Sequence, residues 1–301
     1  MSKKGSFSIT IPTEKLEIGG IQLGLGDYES NVKYIYNPID KKGKKHIDID
    51  IVVIFNKGVD NKKIVINKYD SLVMNAFFTL YIDNYKNNKK EPYVIYLSDI
   101  YKCICSTDKP QKTQREKIKK SIAKLRDIRV NIDYSNFLKN EEMKKRYSKN
   151  DIYNALYEQT GDDRSIIYGH EEEYTHKYTK EKMSRYVLNS LPLLNIVAVK
   201  ERYKTLDNRA FNNLRLSEDN ISVTDYLIRC LNAKQKILRI DKFFKETSLK
   251  KDKNKRYLEV IYNCFDNIYQ TQGMYKSYKT LDKNNNITVV RKDIEKIKII
   301  Y

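Results

Sequence analysis

Between Tyr69 and Asp133 the spacing of apolar residues switches back and forth between the helical and the extended period, and few folds accommodate that order. "YDSLVMNAFFTLYIDNY" puts Leu72, Ala76 and Leu80 on one face with Val73, Phe77 and Tyr81 beside them, the pattern of a buried helix capped by Asp70 or Ser71. "EPYVIYL" then alternates as a short strand, with Pro92 suited to its first position. "SDIYKCICS" is a short helix with Ser98 as its cap, and "TDKPQK" is a turn. A helix runs to Asp127, after which Ile128, Val130 and Ile132 alternate with Arg129, Asn131 and Asp133 as a strand. Helix, short strand, short helix, turn, helix, strand is the connectivity of a winged helix, in which the last helix of the set enters the major groove of DNA.

That last helix is dense in Lys and Arg. Thr113-Gln-Arg-Glu116 has the form of a capping box, and Ile118, Ile122 and Leu125 make the buried stripe. On the opposite face of the wheel lie Thr113, Lys117, Lys120 and Lys124, flanked by Lys112 and Lys119. A run of charge is most often a solvated face. Here it follows a short helix and a turn and leads into a strand, which favours a reading head. Gln111, Thr113, Gln114 and Lys117 at the N-terminal end are expected to reach base edges. Lys112, Lys119, Lys120 and Lys124 are expected to hold phosphates.

Further along, "KNDIYNALYEQTG" reads as a helix ended by Gly161. "RSIIYGHEEEYTHKYTKEKMSRYVLN" reads as a hairpin, a wing carrying Lys177, Lys180 and Lys182 at its tip. A second set of similar order follows: the apolar helix "SLPLLNIVAVKERY", the extended link "KTLD" and the short helix "NRAFNNL". Ser222-Val-Thr-Asp225 then resembles another capping box, with a stripe through Val223, Tyr226, Leu227, Cys230 and Leu231. Arg229, Asn232 and Lys236 on its other face are the expected DNA contacts of this copy. A helix stopped by Gly273 and a hairpin turning at Asn284 to Asn286 close the chain.

Residues 1–66 read as strands and turns, with "GGIQLGLG" as a loop, because it lacks the G-x-G-x-x-G spacing of a dinucleotide fingerprint. The expected organisation is therefore α+β: a β-rich segment 1–66, then two tandem winged-helix domains over 67–190 and 191–301.

Formal net charge is +19 in 301 residues, which favours a polyanionic partner. Codon bias in an AT-rich genome would also raise Lys, and Lys far outnumbers Arg. Cys103, Cys105, Cys230 and Cys264 are spaced as reduced core residues rather than as a disulfide framework or a zinc site. No apolar run approaches a membrane span, and "MSKKGSFSIT" lacks the apolar core of a signal peptide, so the expected compartment is the cytoplasm. His46, His170 and His176 are too scattered for a hydrolytic design, and no Walker A run or His-hydrophobe-His triad occurs. The acidic pairs at 162–163 and 171–173 read as solvated rather than as a two-metal site. No catalytic residue, metal or cofactor is expected.

"DSLVMNAFFTLYIDN", "VIYLSDIYKCICS" and "QREKIKKSIAKLRDIRVNID" together resemble the first winged helix of replication initiators from plasmids and conjugative elements of low-GC Gram-positive bacteria. "YVLNSLPLLNIVAVKERYKTLDNRAFN" and "NISVTDYLIRCLNAKQ" are similar to the start of the second winged helix in the same group. The resemblance covers roughly residues 67–270; "KCICSTDK" stands where relatives often have a Thr-Gly turn. It implies an initiator that binds repeated double-stranded DNA at an origin without catalysis, recruits the host replication helicase machinery, and forms a homodimer through its first winged helix. Gln on the reading helix would suit AT-rich repeats. Two alternatives stand beside it: a winged-helix transcriptional regulator of a mobile element, and a non-catalytic scaffold in a plasmid partition or transfer complex.

Overall fold

The computed structural model describes residues 7–12, 17–18, 21–22, 26–29, 33–36, 51–57, 63–87, 92–175, 177–178, 180, 182–199, 203–252 and 256–301. It is a mixed α and β structure that divides into two compact units. The larger holds residues 10–102 and 107–204; the smaller holds 1–9, 103–106 and 205–301.

The chain begins with strands β1 (Ser8–Pro12), β2 (Glu17–Ile18), β3 (Ile21–Gln22), β4 (Gly26–Glu29), β5 (Lys33–Tyr36), β6 (Ile51–Lys57) and β7 (Lys63–Ile66). "GGIQLGLG" is thus not simply a loop: Ile21–Gln22 pairs with Glu17–Ile18, and Gly26 opens β4. Much of the segment expected to be β-rich, His46 included, lies outside the described residues.

Next come α1 (Lys68–Lys86), β8 (Tyr93–Tyr96), α2 (Leu97–Cys105), α3 (Lys112–Asp127) and β9 (Ile128–Asp133). Three short helices follow, α4 (Ser135–Lys139), α5 (Glu141–Tyr147) and α6 (Asp151–Gln159), and then β10 (Asp163–Ser165), β11 (Tyr168–Thr175), β12 (Lys182–Ser190), α7 (Pro192–Val199) and β13 (Tyr203–Asp207). Strand β9 does not belong to the wing. It pairs antiparallel with β6, from Lys57↔Ile128 to Val52↔Asp133, in a six-stranded sheet of order β10-β9-β6-β5-β2-β3. The hairpin expected as a wing is β11–β12, and β12 pairs back onto β8 to give a sheet of order β11-β12-β8. Phe77 and Tyr81 of α1 close the core against this sheet, with ring centroids 5.5 Å from Tyr186 and 5.2 Å from Tyr93.

The smaller unit contains α8 (Arg209–Asn212), α9 (Glu218–Asn232), β14 (Ile237–Arg239), α10 (Ile240–Glu246), α11 (Tyr257–Gln272), β15 (Ser277–Leu281) and β16 (Lys296–Ile300). Its sheet has the order β14-β16-β15. From α9 onward the order is helix, strand, helix, helix, hairpin, with the second hairpin strand pairing back onto the first short strand. The α1–β12 segment has that order too, once β9 to β10 are set aside as an insertion. The copies therefore match with α9 in the place of α1 and α11 in the place of α3. The sequence reading was one helix out of frame in the second copy. Ser222 is not a cap: α9 begins after Ser217, whose side chain accepts from the Asn220 amide, while Ser222 is fully buried within the helix. Nearly every residue from Ile221 to Leu231 is buried, so α9 is a central core helix.

Candidate nucleic-acid interface

Helix α3 is positioned from its partner α1. Asn67 caps α1 and forms a capping box with Asp70, each side chain accepting from the other's backbone amide at 2.9 and 3.0 Å. Asp70 is therefore the third residue of the box, not the cap itself. It is 3% exposed, and its carboxylate also accepts from Ser121 Oγ and Lys124 Nζ on α3. A buried carboxylate is tolerated when its lone pairs are filled, and here three donors from two helices fill them.

The start of α3 differs from expectation. Gln111 occupies the cap position without a side-chain hydrogen bond, so Thr113 lies inside the first turn and its box with Glu116 is not formed. Pro110 keeps Lys109, the residue before it, out of the helical region, and Gln111 is itself extended at ψ 151°, so the helix begins at Lys112. Ile118, Ser121, Ile122 and Leu125 are buried, as the stripe required. Gln111, Lys112, Thr113, Arg115, Lys117, Lys119 and Lys120 are exposed, and Gln114 is half-buried.

Between α3, α2 and strand β12 lies an open groove of about 480 Å³. Leu97 and Tyr101 contribute its apolar wall, and Lys112, Arg115, Lys119 and Lys182 line it, with Asp108 and Glu116 as the carboxylates. Lys112 is 3.9 Å from Glu116. Arg115, Lys117, Lys119 and Lys120 have no carboxylate partner among the described residues. The structure thus brings Lys112, Lys119 and Lys182 together, and adds Arg115. That residue falls three before Ile118, beside the buried stripe of the wheel and away from its outermost residues, although its spacing of three from Lys112 and four from Lys119 puts it on their face.

Ion pairs surround and cross the β11–β12 hairpin. Strand β11 carries Glu171, Glu172 and Glu173, but Arg126 reaches Glu171 at 3.3 Å and Arg185, directly across the hairpin, reaches Glu172 at 2.7 Å. His170 Nε2 is 3.1 Å from the same Glu172. Hydrogen bonds from Arg185 first, then His170, hold the Glu172 carboxyl below the usual glutamate range. At the tip Lys177 and Lys180 are exposed, Lys180 in the left-handed region at φ 57°, and Tyr178 is 82% exposed with Lys177 Nζ 5.9 Å from its ring. His176 lies outside the described residues.

Two expected contacts are withdrawn from solvent. Lys124 is turned to Asp70. Arg229 is 8% exposed and paired with Asp225 at 3.1 Å, so it belongs to the core of the smaller unit. Asn232 and Lys236 are exposed, yet they flank the end of α9, not the helix that corresponds to α3. The four cysteines are free thiols; burial raises those of Cys105 and Cys264 to about 11, which leaves them protonated and inert. Among the described residues no helix is long and apolar enough to cross a membrane.

No family model and no curated protein matches the chain. Among solved structures, a selenomethionine form of domains 2 and 3 of RctB superposes with a TM-score of 0.43 at 8% identity, covering 91% of this chain and 92% of that one. A second structure of RctB domains 2–3 gives 0.43 at 9% identity, covering 92% and 94%.

Proposed function

We propose that the chain is a non-catalytic double-stranded DNA-binding protein built from two winged-helix units, with α3 as its reading helix. The observation that carries this is the groove between α3 and the wing strand β12, where Lys112, Arg115, Lys119 and Lys182 outnumber Asp108 and Glu116. Cations left without carboxylate partners along one helix are costly to gather unless an anion completes them, and a phosphate backbone is the anion with the matching repeat. In this reading the exposed Lys177 and Lys180 at the tip of the hairpin would add phosphate contacts.

The finer reading is a replication initiator of a plasmid or conjugative element, working in the cytoplasm on AT-rich repeats, as a homodimer and with host helicase machinery. The sequence motifs of α1, α2 and α3 support it. The test is to mix the purified protein with fragments of its source replicon, recover the bound ones and sequence them. Enrichment of repeats beside an origin supports initiation, and enrichment limited to its own promoter supports a regulator. No enrichment, together with an Arg115→Ala/Lys119→Ala variant that binds DNA as the wild type does, leaves only the scaffold.

A further inference from the structure

The two units share one element order and differ in where their charge lies. Helix α11, in the place of α3, exposes Glu259, Asn263, Asp266, Tyr269 and Gln270, a neutral to acidic face. Four cations of the smaller unit, Arg239, Lys279, Lys296 and Lys298, lie instead on the strands of its sheet. Along β16, Lys296 and Lys298 alternate with buried Ile297 and Ile299 and so lie on the solvent face. Lys298 stands directly opposite Lys279 of β15, and Lys296 directly opposite Arg239 of β14.

Like charges facing each other across an antiparallel pair destabilise it. Arg239 is paired with Asp241, and Lys296 donates to the Lys283 carbonyl and to Asn285. Lys279 and Lys298 have no partner among the described residues. Lysines do protect exposed sheet edges, which would account for Lys279, but β16 is the central strand and has no edge to protect. Nor does the topology require them: the solvent face of the larger unit's β11-β12-β8 sheet carries Val94, Tyr96, Tyr174 and Met183, with Arg185 neutralised by Glu172.

We propose that the solvent face of the β14-β16-β15 sheet, through Lys279, Lys298 and Arg239, is a second, sequence-independent contact surface for the phosphate backbone of nucleic acid. The smaller unit would then grip DNA by its sheet while the larger unit reads it by its helix. This rests on the DNA-binding reading above only for the identity of the duplex.

The experiment measures binding of a random-sequence duplex by fluorescence anisotropy at several salt concentrations, with the melting temperature of each protein recorded. Wild type is compared with Lys279→Ala/Lys298→Ala, Lys279→Gln/Lys298→Gln and Arg115→Ala/Lys119→Ala. Two phosphate contacts at about 0.9 each should lower the salt slope of log affinity by about 1.8 in either sheet variant. Relief of the facing lysines should leave the melting temperature at low salt unchanged or raised. An unchanged slope in both sheet variants overturns the proposal, even if the α3 variant loses slope. A loss of slope in the sheet variants with none in the α3 variant keeps it and overturns α3 as the reading helix.

Discussion

Lys124 of α3 and Asp70 of α1 form an ion pair in which the carboxylate is 4% exposed and the ammonium 29%. Asp70 is at once the third residue of the α1 capping box and the acceptor for Ser121, so one side chain sets both where α1 begins and how α3 lies on it. Asp70→Asn should therefore destabilise the fold by about 1–3 kcal/mol, the cost of leaving charged and polar partners unsatisfied. Lys124→Ala should also lower stability while leaving the salt slope of DNA binding unchanged. Urea unfolding and a salt titration check both, and a fall in slope for Lys124→Ala would return this lysine to the phosphate contacts.

The wing should loosen in acid. Arg185 and His170 depress the Glu172 carboxyl in the folded state, so this contribution is present above the unfolded glutamate value and disappears as pH falls through the lower folded one. Exchange protection of the β11–β12 amides should decrease as pH falls below the ordinary glutamate range in the wild type. Glu172→Gln should show weaker protection at neutral pH and little further change on acidification. Equal acid sensitivity in the two proteins would mean that other groups control the hairpin.

Gly169 sits at the register shift where β11 leaves its pairing at Tyr168. A Cβ there would stand 2.2 Å from the Val187 carbonyl oxygen, a backbone atom that cannot swing aside. Gly169→Ala should destabilise the larger unit by about 1–3 kcal/mol, as overpacking does, and should widen the hairpin. A thermal melt unchanged from wild type would show that the bulge can relocate.

How much of this was legible in the sequence depends on the range of the interaction. Helices α1, α3 and α11 follow from period 3.6 over many residues, and the stop at Gly273, left-handed at φ 58°, follows from a residue that tolerates that conformation. Caps were less secure. Thr113-x-x-Glu116 and Ser222-x-x-Asp225 have the form of boxes, but Gln111 and Ser217 start the helices, since a box pattern in the first turn of a helix looks the same as one beside it. Sheet pairing was illegible: β12 finds β8 and β9 finds β6 across long stretches of chain, and period two gives a face without naming a neighbour. The misplaced second copy is the same problem at larger scale. Arg229 on an amphipathic wheel looks outward until the sheet and α11 close around α9.

Arg229→Ala separates those readings. Its guanidinium and the Asp225 carboxylate are 9% and 13% exposed, so removing one leaves the other nearly buried. The loss should be about 3 kcal/mol, the low end for buried pairs, because Asp225 keeps some access to water. Binding to DNA, measured below the melting temperature, should be unaffected. Weaker binding at unchanged stability would put Arg229 back on the interface.

The outward residues of α3 should divide by task, and this decides whether the helix reads sequence or merely holds DNA. Gln111 is exposed at the helix start, the end by which a recognition helix enters the major groove. Its amide can pair with adenine in two hydrogen bonds. Gln114 is half-buried, which leaves Gln111 as the better placed of the two. Lys120 is exposed, has no carboxylate partner among the described residues and lies more than a turn further on, so it is expected to hold phosphate. On an enriched fragment, Gln111→Ala should cost about 1–3 kcal/mol of discrimination against scrambled DNA at constant salt slope. Lys120→Ala should lose about 0.9 of slope at constant discrimination. Identical losses for the two variants would mean that α3 holds the backbone along its whole length and that sequence is read elsewhere.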